Sequence, residues 1–134
     1  MNYWLLKTEP ETFSWNDLQK DKKAVWDGVR NFQARKNLKE MKKGDVAFIY
    51  HTGDEKAVVG ISTVTREGYP EPKDPAWVAV DLAPQKALAN PVSLARIKQD
   101  KALQKMMLVR SPRLSVQPVS KAEFDHIVEI SAKP

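Results

Sequence analysis

The sequence predicts one α+β domain over residues 1–134, with a curved or barrel-like, mostly antiparallel sheet and helices packed around it. A chain of 134 residues suits a single domain with its own hydrophobic core. Strand-like runs of aromatic and β-branched residues occur together with segments whose apolar residues recur at helical spacing. Their order is strand, helices, several strands, helices, strand and helix, and this mixture indicates an α+β fold.

Local signals mark the first strand and the first helix. Residues 3–8 are rich in aromatic and aliphatic side chains. The Glu9-Pro10 pair should end this strand, because proline fixes its own φ and restricts the residue before it. Ser14 and Asp17 form a capping box, in which the serine hydroxyl accepts a free backbone N–H. A helix is therefore predicted to begin after Ser14.

A second helix is predicted after Asn31, which is a good N-cap residue. We expect this helix to run to about Lys43 and to stop at Gly44. One of its faces is basic, which suits either a solvated surface or a surface that contacts phosphates. The basic residues of this face are Arg35, Lys36, Lys39, Lys42 and Lys43.

The middle of the chain has strand character. Residues 45–50 and 57–65 are apolar runs joined by a polar connection with a glycine, which predicts an antiparallel hairpin with a loop longer than two residues. Gly60 inside the second run indicates a bulge or a close approach of other atoms. The prolines within residues 68–75 predict a surface loop, and residues 77–82 resume a strand.

The C-terminal part is predicted to be largely helical. Helical spacing of apolar residues begins at Ser93 and is interrupted near Asp100. Residues 114–118 read as a short strand. Ser120 and Glu123 then repeat the capping box, which predicts a last helix.

The composition limits the classes of function. Twenty-two Lys and Arg residues against seventeen Asp and Glu give a formal charge of +5, a moderate bias toward polyanionic partners. There is no cysteine, so thiolate catalysis and cysteine-zinc sites are excluded. The sequence contains no apolar run of membrane-spanning length and no signal peptide pattern. We therefore expect a cytoplasmic protein without a membrane partner.

Motifs for metals, nucleotide cofactors and covalent catalysis are not found. His51 and His126 lack the spacing that places two metal ligands on one helix face. The five glycines form neither a dinucleotide-binding motif nor a P-loop. The predicted protein has no metal, no cofactor and no catalytic residue.

The segment from Trp26 to Asn31 places a large flat aromatic ring beside an acid, a glycine and a cation. These groups could hold a nucleobase, or they could form a buried turn between two helices. The other three tryptophans, Trp4, Trp15 and Trp77, are expected in the core, where large aromatic side chains usually lie.

Several blocks resemble the EVE-domain family. They are YWLLKTEP (3–10), WDGVRNFQAR (26–35), GD (44–45) leading to YHT (50–52), VVGI (58–61) and RLSVQPV (113–119). The resemblance extends over nearly the whole chain. It implies a PUA-like pseudo-barrel related to the YTH domains, and recognition of a modified base in DNA or RNA.

The same resemblance implies a base-binding pocket. Trp26 matches a tryptophan of the aromatic cage in YTH domains, and Lys7 and Thr8 match residues at the pocket edge. The other implied residues lie at the end of a strand and in the segment that closes the cavity. They are Tyr50, His51, Thr52, Arg113, Leu114 and Ser115.

A simple physical mechanism suits these residue types. Stacking on Trp26, worth about 1–3 kcal/mol, would offset the cost of taking a base out of its stack. Asp27 and Asn31 offer donors and acceptors for the base edge, although Asn31 serves equally well as a helix cap. Other cationic side chains would neutralise the flanking phosphates. These are Arg30, Arg35, Lys36 and Lys39, with Arg113 nearby.

The predicted function is a non-catalytic module that recognises a modified or flipped base. Two alternatives remain open from the sequence. The protein could be an enzyme acting on a nucleotide or small heterocycle, with His51, Asp27 or Lys7 as acid or base. It could also be a protein-interaction adaptor whose aromatic pocket takes a peptide or a methylated amine.

Overall fold

The computed structural model describes residues 1–133 and contains a six-stranded sheet with helices on both faces. No helix within these residues is long and apolar enough to cross a membrane. The elements are β1 (Tyr3–Thr8), α1 (Trp15–Asp21), β2 (Ala24–Trp26), α2 (Phe32–Glu40), β3 (Val46–His51), β4 (Ala57–Pro70), β5 (Val78–Ser93), α3 (Leu94–Gln99), a 3-10 helix (Lys101–Leu103), α4 (Met107–Arg110), β6 (Val116–Val119) and α5 (Lys121–Ser131).

The sheet is mostly antiparallel, as predicted. Its strand order is β2-β5-β4-β3-β1-β6. Within residues 1–133, four of the five strand pairings are antiparallel, and the exception is the pair of β1 and β3. This parallel pair places Thr8 opposite His51, so both strands end at the same edge of the sheet.

The long hairpin of β4 and β5 curves the sheet. Its register shifts at four places, and such bulges bend a strand and increase its twist. Gly60 lies at one of these shifts, so the predicted bulge is confirmed. A Cβ atom at Gly60 would also lie 2.4 Å from the ring of Trp15. The absence of a side chain therefore lets α1 pack directly on the strand.

Two hydrophobic clusters lie on opposite faces of the sheet. β3 contributes to both because successive side chains of a strand point to opposite faces. Ala47 and Ile49 belong to the cluster under α1 and α2, whereas Phe48 and Tyr50 belong to the cluster under α3, α4 and α5. We call these the first and the second cluster. Every residue of β3 is buried, as expected for a strand covered on both faces.

Two predicted boundaries in the middle of the chain were wrong. The predicted loop at 68–75 is shorter, because β4 continues to Pro70, which pairs with Val78. Proline is tolerated there because this part of β4 extends past its pairing with β3 and forms an edge of the sheet. The strand predicted at 77–82 begins at Val78 and extends to Ser93, past two prolines that hid its second half from the sequence pattern.

The second helix also differs from its prediction. α2 ends at Glu40, and Met41 already has an extended conformation. The Asp45 carboxylate accepts the backbone N–H of Lys42 at 3.0 Å, which stabilises a turn in place of another turn of helix. Gly44 adopts a φ of 93°, which suits a glycine in this turn.

The tryptophans divide between core and surface. Trp4 and Trp15 are buried, as predicted. The prediction for Trp77 was wrong, because this side chain is only half-buried. Its ring stacks on Phe32 at the start of α2, with 5.5 Å between the ring centroids and 22° between the planes. The loop before β5 therefore rests on the outside of α2.

Candidate functional site

A cavity of about 670 Å³ opens between the two edge strands of the sheet, β2 and β6. This volume is within the range of about 300–1,000 Å³ that is usual for small-molecule sites. The wall combines the end of β1, the turn before α1, the β2 segment and one residue just before β6. It consists of Lys7, Thr8, Glu9, Thr12, Phe13, Asp21, residues 23–30 and Ser115.

The strand order explains the location of this cavity. β2 and β6 are the two edge strands of the sheet, and within residues 1–133 they do not pair with each other. Trp26 is the last residue of β2 and pairs with Val80 of β5. On the other side, the backbone N–H of Lys7 donates to the carbonyl of Ser115 at 3.0 Å, which holds the chain entering β6 beside β1. The cavity is the space that remains between Trp26 of β2 and the chain that enters β6.

Trp26 forms part of the cavity wall and also part of the first cluster. Only 8% of its surface is exposed. The ring of Phe13 meets it edge-on, with 6.1 Å between centroids and 78° between planes. Trp26 is therefore held rigidly by packing, and a ligand in the cavity would meet an aromatic surface that is already ordered.

A buried carboxylate holds the segment that follows Trp26. Glu71 accepts both Arg30 Nη1 at 2.8 Å and Arg30 Nη2 at 2.7 Å, and it also accepts the Gly28 N–H at 3.2 Å. Gly28 has a φ of 77°, which glycine adopts without steric strain. The hydrogen bonds from Arg30 lower the pKa of Glu71 to about 2. Glu71 thus fixes one side of the cavity mouth.

Sequence reasoning did not single out Glu71. It lies in a proline-rich loop that gives no local sign of burial, and its partners precede it by 41 and 43 residues. The only signal was an acid between two prolines, and this pattern is common in exposed loops.

The polar groups of the cavity have defined partners. Lys7 Nζ donates to the Pro112 carbonyl, and burial lowers the pKa of this amine. Thr8 Oγ1 donates to the Phe13 carbonyl at 2.7 Å and keeps its oxygen lone pairs for another donor. The charged wall residues are of both signs. They are Lys7, Lys23 and Arg30 against Glu9, Asp21 and Asp27.

Three residues from the end of β3 lie outside the cavity wall. The Tyr50 side chain belongs to the second cluster, on the face of the sheet opposite to Trp26. His51 accepts the Trp15 backbone N–H through Nε2 at 3.0 Å, and its Nδ1 lies 2.7 Å from Glu55 Oε1. Thr52 N–H donates to the Thr8 carbonyl at 2.9 Å. These residues connect β3 to β1 and α1.

Three further members of the predicted pocket also lie outside this wall. Asn31 accepts the Ala34 N–H at 2.9 Å and caps α2, so the cap interpretation describes its contacts here. Leu114 packs against the first cluster, and Arg113 is exposed. Of the eleven predicted pocket positions, the cavity brings together five. These are Lys7, Thr8, Trp26, Asp27 and Ser115.

The predicted phosphate-binding residues differ in their surroundings. Arg30 lines the cavity and is paired with Glu71. Arg35 donates to the Ala76 carbonyl at 2.9 Å, and its guanidinium lies 4.9 Å from the ring centroid of Phe32. Lys36 and Lys39 are exposed on α2. Within residues 1–133, no three His, Asp or Glu side chains are grouped so that they could hold a metal ion.

The six-stranded sheet flanked by helices is a PUA-like fold, as predicted, and the crystal structure of ASCH from Zymomonas mobilis shares this fold, with a TM-score of 0.62 and 12% identity over 96% of this chain and 95% of that one. The sequence model of the EVE domain matches residues 2–130, and the chain belongs to the EVE-domain family.

Solved and curated relatives are similar over nearly the whole chain. Mouse thymocyte nuclear protein 1 is 35% identical over 96% of this chain and 73% of its own length. The crystal structure of protein Atu2648 from Agrobacterium tumefaciens has a TM-score of 0.94 and 40% identity, covering 100% of this chain and 97% of that one. Human THYN1 protein, solved in complex with DNA containing 5-methylcytosine, has a TM-score of 0.91 and 30% identity, covering 100% of this chain and 99% of that one.

Proposed function

We propose that the protein is a non-catalytic nucleic-acid-binding module that takes a modified base into the cavity beside Trp26. The observation that carries this proposal is the cavity itself, which combines an ordered aromatic wall with polar groups at its mouth. The complex of human THYN1 protein with 5-methylcytosine-containing DNA supports it and makes 5-methylcytosine the first base to test.

The geometry suits a base that has left its stack. A duplex does not expose the face of a base, so the base must flip out or belong to a single strand. Trp26 and Phe13 offer apolar and aromatic surface to the ring and to an added methyl group. Thr8 places a polar atom at the edge of the same space, whereas the Lys7 ammonium donates to the Pro112 carbonyl and lies 5.7 Å from the centroid of the Tyr50 ring. Recognition would then combine stacking, shape and a few hydrogen bonds.

The contacts favour binding over catalysis. His51, the strongest acid-base candidate, has both ring nitrogens engaged with protein groups, and it lies outside the cavity wall. The Lys7 amine already donates to the Pro112 carbonyl. Asp27 is exposed to solvent, where a carboxylate is a weak general base.

The DNA complex of human THYN1 protein favours a base over a methylated amine. The charge of the cavity wall does not decide between these ligands, because Lys7, Lys23 and Arg30 are matched by Glu9, Asp21 and Asp27.

The direct test is a binding panel of short DNA and RNA oligonucleotides, with cytosine or 5-methylcytosine at one position, measured by fluorescence anisotropy. We expect wild type to prefer the modified base, Trp26→Phe to retain much of this preference because it keeps an aromatic face, and Trp26→Leu to lose most of it. Leucine is chosen over alanine because Trp26→Ala removes a core ring without replacement and would cost about 3–5 kcal/mol of stability. Equal affinity of wild type for modified and unmodified oligonucleotides, over a panel of base modifications, would overturn the proposal.

A matched control separates base recognition from charge. Exchanging both Lys36 and Lys39 for glutamine should weaken binding to all oligonucleotides by the same factor and reduce its salt dependence. Catalysis is tested by incubating wild type with nucleosides and oligonucleotides and searching for products by mass spectrometry. Turnover by wild type that disappears in Lys7→Met or Asp27→Asn would show that the protein is an enzyme.

A further inference from the structure

We propose that the exposed ring of Phe32 is a second stacking platform, which takes the base next to the one in the cavity. This inference rests on the proposed function and extends it from a single base to two neighbouring nucleotides of a single-stranded or locally opened nucleic acid.

The position of Phe32 is unusual for a large apolar side chain. It is 70% exposed at the first residue of α2, where it contributes little to the core. Trp77 stacks against it and holds the ring in place, at 5.5 Å between centroids. An ordered aromatic ring open to solvent is what a nucleobase needs for stacking, because every base has an aromatic face.

Charge complementarity points to a nucleic acid as the occupant. The Arg35 guanidinium lies over both rings, at 4.9 Å from the Phe32 centroid and 5.2 Å from the Trp77 centroid. Lys36 and Lys39 extend the positive charge along the same helix. Such cations neutralise the phosphates that join stacked nucleotides.

The platform is continuous with the cavity. Arg30 is a cavity-lining residue, and its guanidinium also lies 5.3 Å from the ring centroid of Trp77. Glu71 holds this guanidinium by two hydrogen bonds, so the separation of the two sites is defined by the fold. The Arg30 side chain thus connects the cavity wall to Trp77, on which Phe32 stacks, so a nucleotide next to a base in the cavity is the nearest partner for the platform.

A purely structural role for the aromatic pair makes a different prediction. In that case Phe32 would only cover Trp77 and fasten the loop before β5 to α2, a task that any apolar side chain could share. Phe32→Leu keeps apolar cover over Trp77 and removes the aromatic face. Phe32→Tyr keeps the face. The two variants thus separate stacking from simple burial.

The test uses single-stranded oligonucleotides with one 5-methylcytosine whose 5′ or 3′ neighbour is either a normal nucleotide or an abasic site. For wild type, we expect the abasic neighbour on one side to weaken binding by roughly 5-fold to 150-fold, the range for one base stacked on an aromatic side chain. Phe32→Tyr should retain this dependence, and Phe32→Leu should bind both oligonucleotides equally. Circular dichroism melting of each variant verifies that it is folded.

Failure of the platform is distinguishable from failure of the proposed function. The platform is overturned if wild type is indifferent to abasic neighbours on both sides, or if Phe32→Leu keeps the full wild-type dependence. In either case the preference for 5-methylcytosine over cytosine would survive. A different result is that wild type binds 5-methylcytosine and cytosine equally but still responds to an abasic neighbour through Phe32. This result would overturn base recognition in the cavity and leave the platform in place. Lys36→Gln is the control, since it should weaken the binding of all these oligonucleotides by the same factor.

Discussion

Glu71 binds Arg30 through two hydrogen bonds of 2.7 and 2.8 Å, although the two residues are 41 positions apart in the chain. The Glu71 side chain is 2% exposed and the Arg30 side chain is 44% exposed, so the pair extends from the protein interior to the cavity mouth. A buried carboxylate is tolerated only when it is paired and hydrogen-bonded. This pair therefore fixes the segment that follows Trp26 and compensates part of the positive charge of the site.

The ion pair predicts a specific acid sensitivity. Arg30 lowers the pKa of Glu71 from 4.5 to about 2. A carboxylate with a depressed pKa in the folded state contributes stability that is fully present above its unfolded pKa. This contribution is lost as the pH falls from about 4.5 toward 2. Thermal unfolding followed by circular dichroism should show a smaller loss of Tm for Glu71→Gln than for wild type over this interval. Parallel pH profiles of the two proteins would contradict this role.

His51 is predicted to act as a structural acceptor. Because Nε2 accepts the Trp15 N–H, the proton of the neutral ring must lie on Nδ1, facing Glu55. Nitrogen chemical shifts measured by NMR should show this tautomer, and the other tautomer would contradict the contact. His51→Ala should destabilise the fold by about 1–3 kcal/mol in urea denaturation, since a buried N–H loses its partner. Its preference for a modified base should stay as in wild type.

Gly60 should tolerate no side chain. A Cβ atom there would meet three ring atoms of Trp15 at 2.4 to 2.6 Å. Gly60→Ala should therefore cost about 1–3 kcal/mol or more through overpacking. Gly68→Ala is the milder comparison, because its Cβ would meet a Val78 methyl at 3.1 Å and the Leu38 carbonyl oxygen at 3.4 Å, contacts that a small shift relieves. Chemical denaturation of both variants provides the comparison, and equal losses of stability would disprove the close contact of Gly60 with α1.

Asp45 is predicted to stabilise the turn between α2 and β3. Burial alone would raise the pKa of this carboxyl, but hydrogen bonds from Asn2 and Lys42 and from the Trp4 indole keep it below its ordinary value of 3.8. Asp45→Asn replaces one acceptor oxygen by a donor and should cost about 1–3 kcal/mol at neutral pH. The difference in unfolding free energy should shrink as the pH falls below 3.8, because unfolded wild type then binds a proton at this carboxyl more readily than folded wild type does. A constant difference would contradict the prediction.

Predictions that depended on residues a few positions apart were the most successful. Both capping boxes form as expected, with Ser14 accepting the Asp17 N–H and Ser120 accepting the Glu123 N–H at 3.1 Å. The hairpin between β3 and β4 and the bulge at Gly60 are also confirmed. Local rules failed at the end of α2, where Asp45 accepts the Lys42 N–H in a turn that no pattern within the helix announces. They also gave no sign of distant partners, such as Glu71 for Arg30.

The sequence by itself determined the fold class, the EVE-domain family and five of the residues that line the cavity, because these depend on local patterns and on blocks that recur in one order along the chain. Only the tertiary structure decided which side chains share a space. In the folded domain, Tyr50 lies on the face of the sheet opposite to Trp26, and His51 accepts a hydrogen bond from α1. Glu71 is paired with Arg30, and Phe32 is exposed while it stacks on Trp77. The physical reason is that the direction of a side chain and its distant partners depend on strand register and packing, which are settled by the whole domain at once.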